Sequence, residues 1–176
     1  MRRLFLTLLL ALPLAAAAQV KLGFFSYSEV MKQMPEYVQA QQKLESLKAQ
    51  YDQEAKRGEE EFQRKFAEFL QGQKNFPQNI LLKRQAELQN LMDAGIKFRN
   101  EADRILANAE RDLMAEVEDK LGVAIEAVGI EQGYAAILNT DGRQCPFVNP
   151  ALGNDVAALI LQKLGLTPVP EQADGM

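Results

Sequence analysis

Residues 35–70 read PEYVQAQQKLESLKAQYDQEAKRGEEEFQRKFAEFL, and after QGQKNFP (71–77) the chain resumes as QNILLKRQAELQNLMDAGIKFRNEADRILANAERDLMAEVEDKLGVAIEAVGI (78–130). Apolar residues recur at spacings of three and four on both sides of the break: 40, 44, 47, 51 before it, and 88, 91, 95, 98, 102, 105, 109 after it. That is the pattern of two helices, and the Lys-, Arg-, Glu- and Gln-rich remainder suits solvated faces. When the second half is folded back at Phe76-Pro77, so that facing numbers sum to about 153, the apolar positions meet: Ala40 with Leu113, Leu44 with Ala109, Leu47 with Leu106 and Tyr51 with Ala102. Further out, Gly58 faces Gly95, Phe62 faces Leu91 and Phe66 faces Leu88. The stretch 35–130 is therefore expected to be an antiparallel coiled-coil hairpin with its tip near 71–80. A first helix of about 39 residues is about 58 Å long, whereas a compact globule of this chain's length is only about 40 Å across. Such a hairpin would project as an arm.

The flanks read as a small β-rich base. VKLGFFSY (20–27) alternates as a short strand, with Val20, Leu22 and Phe24 on one face and Phe25 and Tyr27 on the other. Ser28 is the expected cap of a short turn before Pro35, which suits the first turn of the long helix because it has no N–H to leave unpaired. Gly133 is the expected end of the return helix, and 123–130 is apolar on more than one face, as for a helix entering a core. Tyr134–Asn139 reads as a second strand. Arg143–Val148 is a possible third, with Pro146 limiting it to an edge or an irregular pairing. Asn154 or Asp155 caps a last helix over 155–164. The expected fold class is mainly α with a small β body: residues 19–34 and 131–166 form the body and 167–176 a disordered tail.

A strand pair this small cannot stand alone, and an edge strand with Phe on each face invites pairing with another chain. Val20, Leu22, Phe24, Tyr134 and Ile137 are the candidate oligomerisation residues, with no copy number implied.

Residues 1–18 carry Arg2 and Arg3, an apolar run from Leu4 to Leu14 and Ala16-Ala17-Ala18 before Gln19, the form of a cleaved signal peptide. The run is below the ~20 residues that span a bilayer. Its removal takes two of the 20 basic residues and none of the 24 acidic ones, moving the net charge from −4 to about −6. That argues against nucleic acid as a partner. The chain holds no histidine and one cysteine, Cys145, so neither an intrachain disulfide nor a metal site is expected, and Cys145 reads as a small packed residue. No phosphate loop or paired nucleophile and base is present, and neither an enzyme nor a cofactor is expected.

Two features of the hairpin bear on function. Gly58 and Gly95 interrupt both helices at one level, where Gly costs about 1 kcal/mol relative to Ala; they form either a bending point or a place of close helix approach. Beyond them, Phe62, Phe66 and Phe69 share one face and Phe76 and Ile80 lie at the tip. Ile80, Leu81 and Leu82 cannot all face one partner helix, so apolar surface is expected there, unless a wider seam absorbs the Phe stripe. Phe62, Phe66, Phe69, Phe76 and Ile80 are the candidate binding residues.

The order of parts resembles the Skp/OmpH family of periplasmic chaperones: a signal segment, VKLGFFSY (20–27), MPEY (34–37), the charged hairpin, GYAAILNTDG (133–142) and NDVAALILQKLGL (154–166). The resemblance implies a periplasmic homotrimer whose three arms surround a cavity and hold unfolded outer-membrane β-barrel proteins without ATP. The familiar members are basic and this chain is acidic, which weakens peripheral membrane contact, although Lys65, Lys74, Lys83 and Arg84 gather towards the tip. A coiled-coil spacer or adaptor of the cell envelope is the alternative; it calls for a regular, stiff seam, unlike the glycine pair and the Phe-rich outer half.

Overall fold

A computed structural model describes residues 20–142 and 145–167. The signal segment 1–18, Arg143 and the tail beyond Thr167 lie outside them. The elements, in order, are β1 (Leu22–Phe25), α1 (Tyr27–Lys32), α2 (Pro35–Gly72), α3 (Gln78–Gln132), β2 (Ala136–Asn139), β3 (Gly153–Asp155) and α4 (Ala157–Lys163). The fold is mainly α with one small sheet. Two compact units divide it, Met31–Leu121 and the residues on either side of that span.

The Met31–Leu121 unit is the helical hairpin. Met34 is extended at the N-cap and Pro35 opens α2, as its fixed φ and missing N–H favour. Glu36 pairs with Lys120, Gln41 with Met114, Tyr51 with Phe98 and Glu59 with Arg99. Rising numbers on α2 meet falling numbers on α3, so the helices are antiparallel, in a register close to the one the apolar spacing predicts. At the turn, the Gln73 N–H donates to the Phe69 carbonyl, the Asn75 N–H to that of Gly72, and the Ile80 and Leu81 N–H groups to that of Pro77. Its buried apolar residues are Met34, Ala40, Ala102, Val117 and Leu121. Between Gln41 and Glu101 no residue is buried. Two helices alone have one mutual stripe and nothing to cover its margins, so the large side chains of the seam stay half-exposed.

The other unit holds the sheet, ordered β2-β1-β3, with both pairs parallel. Leu22 lies opposite Ala136 on one side and Gly153 on the other. Parallel neighbours need a long crossover, and the whole hairpin connects β1 to β2. Phe25, Val30, Ala124, Val128, Val156, Ile160 and Leu161 form the core. Gly23 is required by close approach: a Cβ there would stand 3.0 Å from Val156 and 3.1 Å from Ile137. Gly133, at φ 68, ends α3 in a Schellman motif. The Tyr134 N–H donates to the Gly129 carbonyl and the Gly133 N–H to that of Ile130.

The structure departs from the sequence expectations at several points. The third strand is Gly153–Asp155, not the stretch ending at Val148; β3 completes its pairing through the Val156 N–H to the Phe24 carbonyl at 3.0 Å. β1 is consequently the central strand and not an edge. Ser26, rather than Ser28, caps α1, its Oγ accepting the Glu29 N–H at 3.2 Å. The Asp141 carboxylate then takes the Ser26 hydroxyl at 2.6 Å and the Ser28 N–H at 2.7 Å, placing a negative charge at the helix N-terminus. Asp155 accepts the Ala157 N–H at 2.8 Å, but α4 starts two residues later than expected because β3 claims Asp155. Finally, only one face of 123–130 enters the core: Val123 is 69% and Ile130 73% exposed.

Candidate client-binding surface of the hairpin

Phe62 and Phe66, one turn apart on α2, stack with ring centroids 5.9 Å apart and planes within 6°. Phe62 is half-buried against the seam, while Phe66 is 44% exposed. Phe69 and Phe76 meet at 6.5 Å in a tilted pair. Phe76 does not point outward, as a residue at the tip was expected to: its ring lies over Gly72, where any Cβ would run into it. Ile80 is exposed, at 36%. The five candidate residues thus divide into Phe66 and Ile80 on the surface and Phe62, Phe69 and Phe76 half-buried beneath.

Leu70, Leu82, Met92 and Ile96 are also exposed and were not among the candidates. Leu82 belongs to the three-residue apolar run already noted. Leu70, Met92 and Ile96 each follow a seam position (69, 91, 95) by one residue, which turns them about 100° away from the partner helix. An apolar residue directly after a seam residue is the signal that would have found them.

At the glycine level the helices leave a gap. A Cβ built on Gly58 or on Gly95 meets nothing within 4 Å, so close helix approach is not what these glycines serve. A cleft of about 480 Å³ occupies the place, walled by Ala55, Phe62, Leu91 and Phe98. The Phe98 wall is backed by the Tyr51 ring at 5.9 Å, and Arg99 reaches across to Glu59 at 3.2 Å.

The candidate oligomerisation residues lie in the sheet unit. Val20 is exposed, and Leu22, Phe24, Tyr134 and Ile137 are half-buried. The Phe24 ring lies against Gly153, and Ile137 lies beside Gly23 and Gly129. The Lys21 ammonium sits 4.1 Å from the Tyr134 ring centre and donates to the Gln132 carbonyl at 2.8 Å. Phe147 and Leu152 add exposed apolar surface in the same unit.

Two ion pairs shift the titration of their members. The Lys120 ammonium hydrogen-bonded to Glu36 holds that carboxyl below its ordinary range. Arg104 does the same for Glu101, one helical turn away on an exposed face, and is itself raised by the partnership. Among the described residues no group of three His, Cys, Asp or Glu could hold a metal ion, and no helix is long and apolar enough to cross a membrane.

The family model for outer membrane protein (OmpH-like) matches residues 21–164, from the strand before the hairpin to the last helix. The chain belongs to the OmpH-like family. Its fold is similar to that of a Caulobacter crescentus CB15 protein, provisionally assigned as an OmpH-like outer membrane chaperone and known from a crystal structure. The TM-score is 0.68 over 88% of this chain and 90% of that one, at 13% identity. At that identity the likeness is one of fold. A search of curated proteins finds no match. In this OmpH-like chain the matched span includes both the half-exposed seam and the cleft.

Proposed function

We propose that this OmpH-like protein is an ATP-independent holdase chaperone of the periplasm, not an enzyme, that binds unfolded outer-membrane β-barrel proteins and prevents their aggregation. Residues 35–130 serve as the arm, and 19–34 with 131–166 as the body through which three copies join, holding the client between their arms. The signal-like segment 1–18 supports export, and the family supports the chaperone role and the kind of partner.

One observation carries the reading: no residue from Gln41 to Glu101 is buried, and Phe66, Leu70, Ile80, Leu82, Met92 and Ile96 stand exposed along that stretch. Apolar surface that is broad, shallow and set on helices can contact many sequences weakly, because no contact demands one shape. Several arms around one client multiply those weak contacts through effective concentration. Release then needs no nucleotide, since folding into the membrane removes the client's apolar surface. A stiff spacer would be served better by a filled seam than by the gap at Gly58 and Gly95.

Replacing Phe66, Leu70, Ile80 and Leu82 together with Ser tests the reading. Helix content by circular dichroism is expected to hold while suppression of barrel-protein aggregation falls severalfold. Unchanged suppression would remove the hairpin surface from the mechanism.

A further inference from the structure

Resting on the holdase reading, we infer that the cleft at Gly58 and Gly95 is a discrete subsite of each hairpin. It accepts one aromatic side chain of an extended segment that carries Lys or Arg on either side of it.

The walls argue for the aromatic group. Phe62, Leu91 and Phe98 present apolar surface, and neither glycine offers a side chain to fill the space between them. The cleft's ~480 Å³ lies in the lower part of the range of about 300–1,000 Å³ typical of small-ligand pockets, ample for one large ring. Exposed Met92 and Ile96 flank it and extend the apolar surface along α3.

The rim argues for the flanking charge. Glu54, Glu59 and Glu61 border the cleft against a single guanidinium, Arg99. Glu59 engages that guanidinium at 3.2 Å, and Glu54 is held by Arg57 at 3.0 Å. Glu61 makes no ion pair among the described residues, so the mouth carries a net negative charge. A cationic group next to the inserted ring is attracted, and an anionic one is repelled. An apolar pocket with a negative lip therefore selects within the client chain instead of merely adhering to it.

The chain contains no tryptophan, so the indole emission of a probe peptide reports the probe alone. Two capped hexapeptides are titrated with the full mature protein, one with Trp between lysines and one with Trp between glutamates. The lysine peptide is expected to bind saturably with a blue-shifted emission, and the glutamate peptide roughly tenfold more weakly or worse. Gly95→Leu and Gly58→Leu each fill the cleft from a different helix while improving helix propensity. Each is expected to weaken the lysine peptide roughly tenfold or more, and Glu61→Gln to narrow the gap between the two peptides. Equal binding of both peptides, or binding that neither leucine variant reduces, overturns the subsite. Barrel aggregation is followed in parallel on the unsubstituted protein. Suppression there together with leucine-insensitive peptide binding defeats the subsite alone, whereas absent suppression defeats the holdase reading.

Discussion

Leu121 has no exposed surface, in a hairpin where burial is scarce. Truncation to Ala removes buried methyl groups and leaves a cavity, so Leu121→Ala is expected to lower stability by about 2–5 kcal/mol, read as a lowered midpoint in urea. The same change at Leu70, which is exposed, is expected to cost little. Charged residues act more weakly. Glu36 and Lys120 join the two helices, but their side chains are 34% and 46% exposed, and solvent screens such pairs. The Glu36 carboxyl is lowered from 4.5, chiefly by the Lys120 hydrogen bond. Its contribution is thus fully present above 4.5 and fades as pH falls through the depressed folded value. Lys120→Gln should remove that part of the acid loss in urea titrations at successive pH values. A variant that retains the full pH dependence would place its source in other carboxylates.

Among the elements, the glycines separate local roles. Gly133 sits at φ 68, and Ala there is expected to cost about 1–2 kcal/mol. Gly58 and Gly95 are helical with open space where a Cβ would go, so Ala at each is expected to stabilise by about 0.5–1 kcal/mol. The double Ala variant should also damp backbone motion around both positions in NMR relaxation, if they form a bending point; unaltered relaxation would sink the hinge. The hairpin was legible in the sequence because helix periodicity is local: the spacing through 40, 44, 47 and 51 states which side faces the partner. The sheet was legible only in part. β2 has a strand's composition, but Gly153-Asn154-Asp155 carries no β-favouring side chain and is a strand only because β1 offers its second edge. Missing β3 turned β1 into an apparent edge strand. The candidate surface was read from phenylalanines, of which the structure leaves Phe66 exposed. The inward turn of Phe76 depends on a bare Gly72 four residues earlier, a matter of loop geometry that periodicity does not encode.

For the molecule as a whole, the net charge of −4, deepened if Arg2 and Arg3 are cleaved away, opposes attraction to anionic surfaces, so the proposed holdase role rests mainly on apolar contact. Apolar contact of this breadth requires that the surface stay soluble without a client, which the dense Lys, Glu and Gln of both helices provide. Exposed Val20, Val123, Ile130, Phe147 and Leu152 are apolar surface of a kind that copies of the chain could cover, in keeping with the proposed trimer. The proposed role is that this hairpin protein holds unfolded chains. Its most direct test is light scattering from a urea-unfolded outer-membrane β-barrel protein diluted into buffer with the purified mature protein, without ATP. Scattering is expected to be suppressed at about one oligomer per client, with the oligomer sized in the same samples. Scattering that rises as fast as in buffer alone, at every ratio of protein to client, would contradict it.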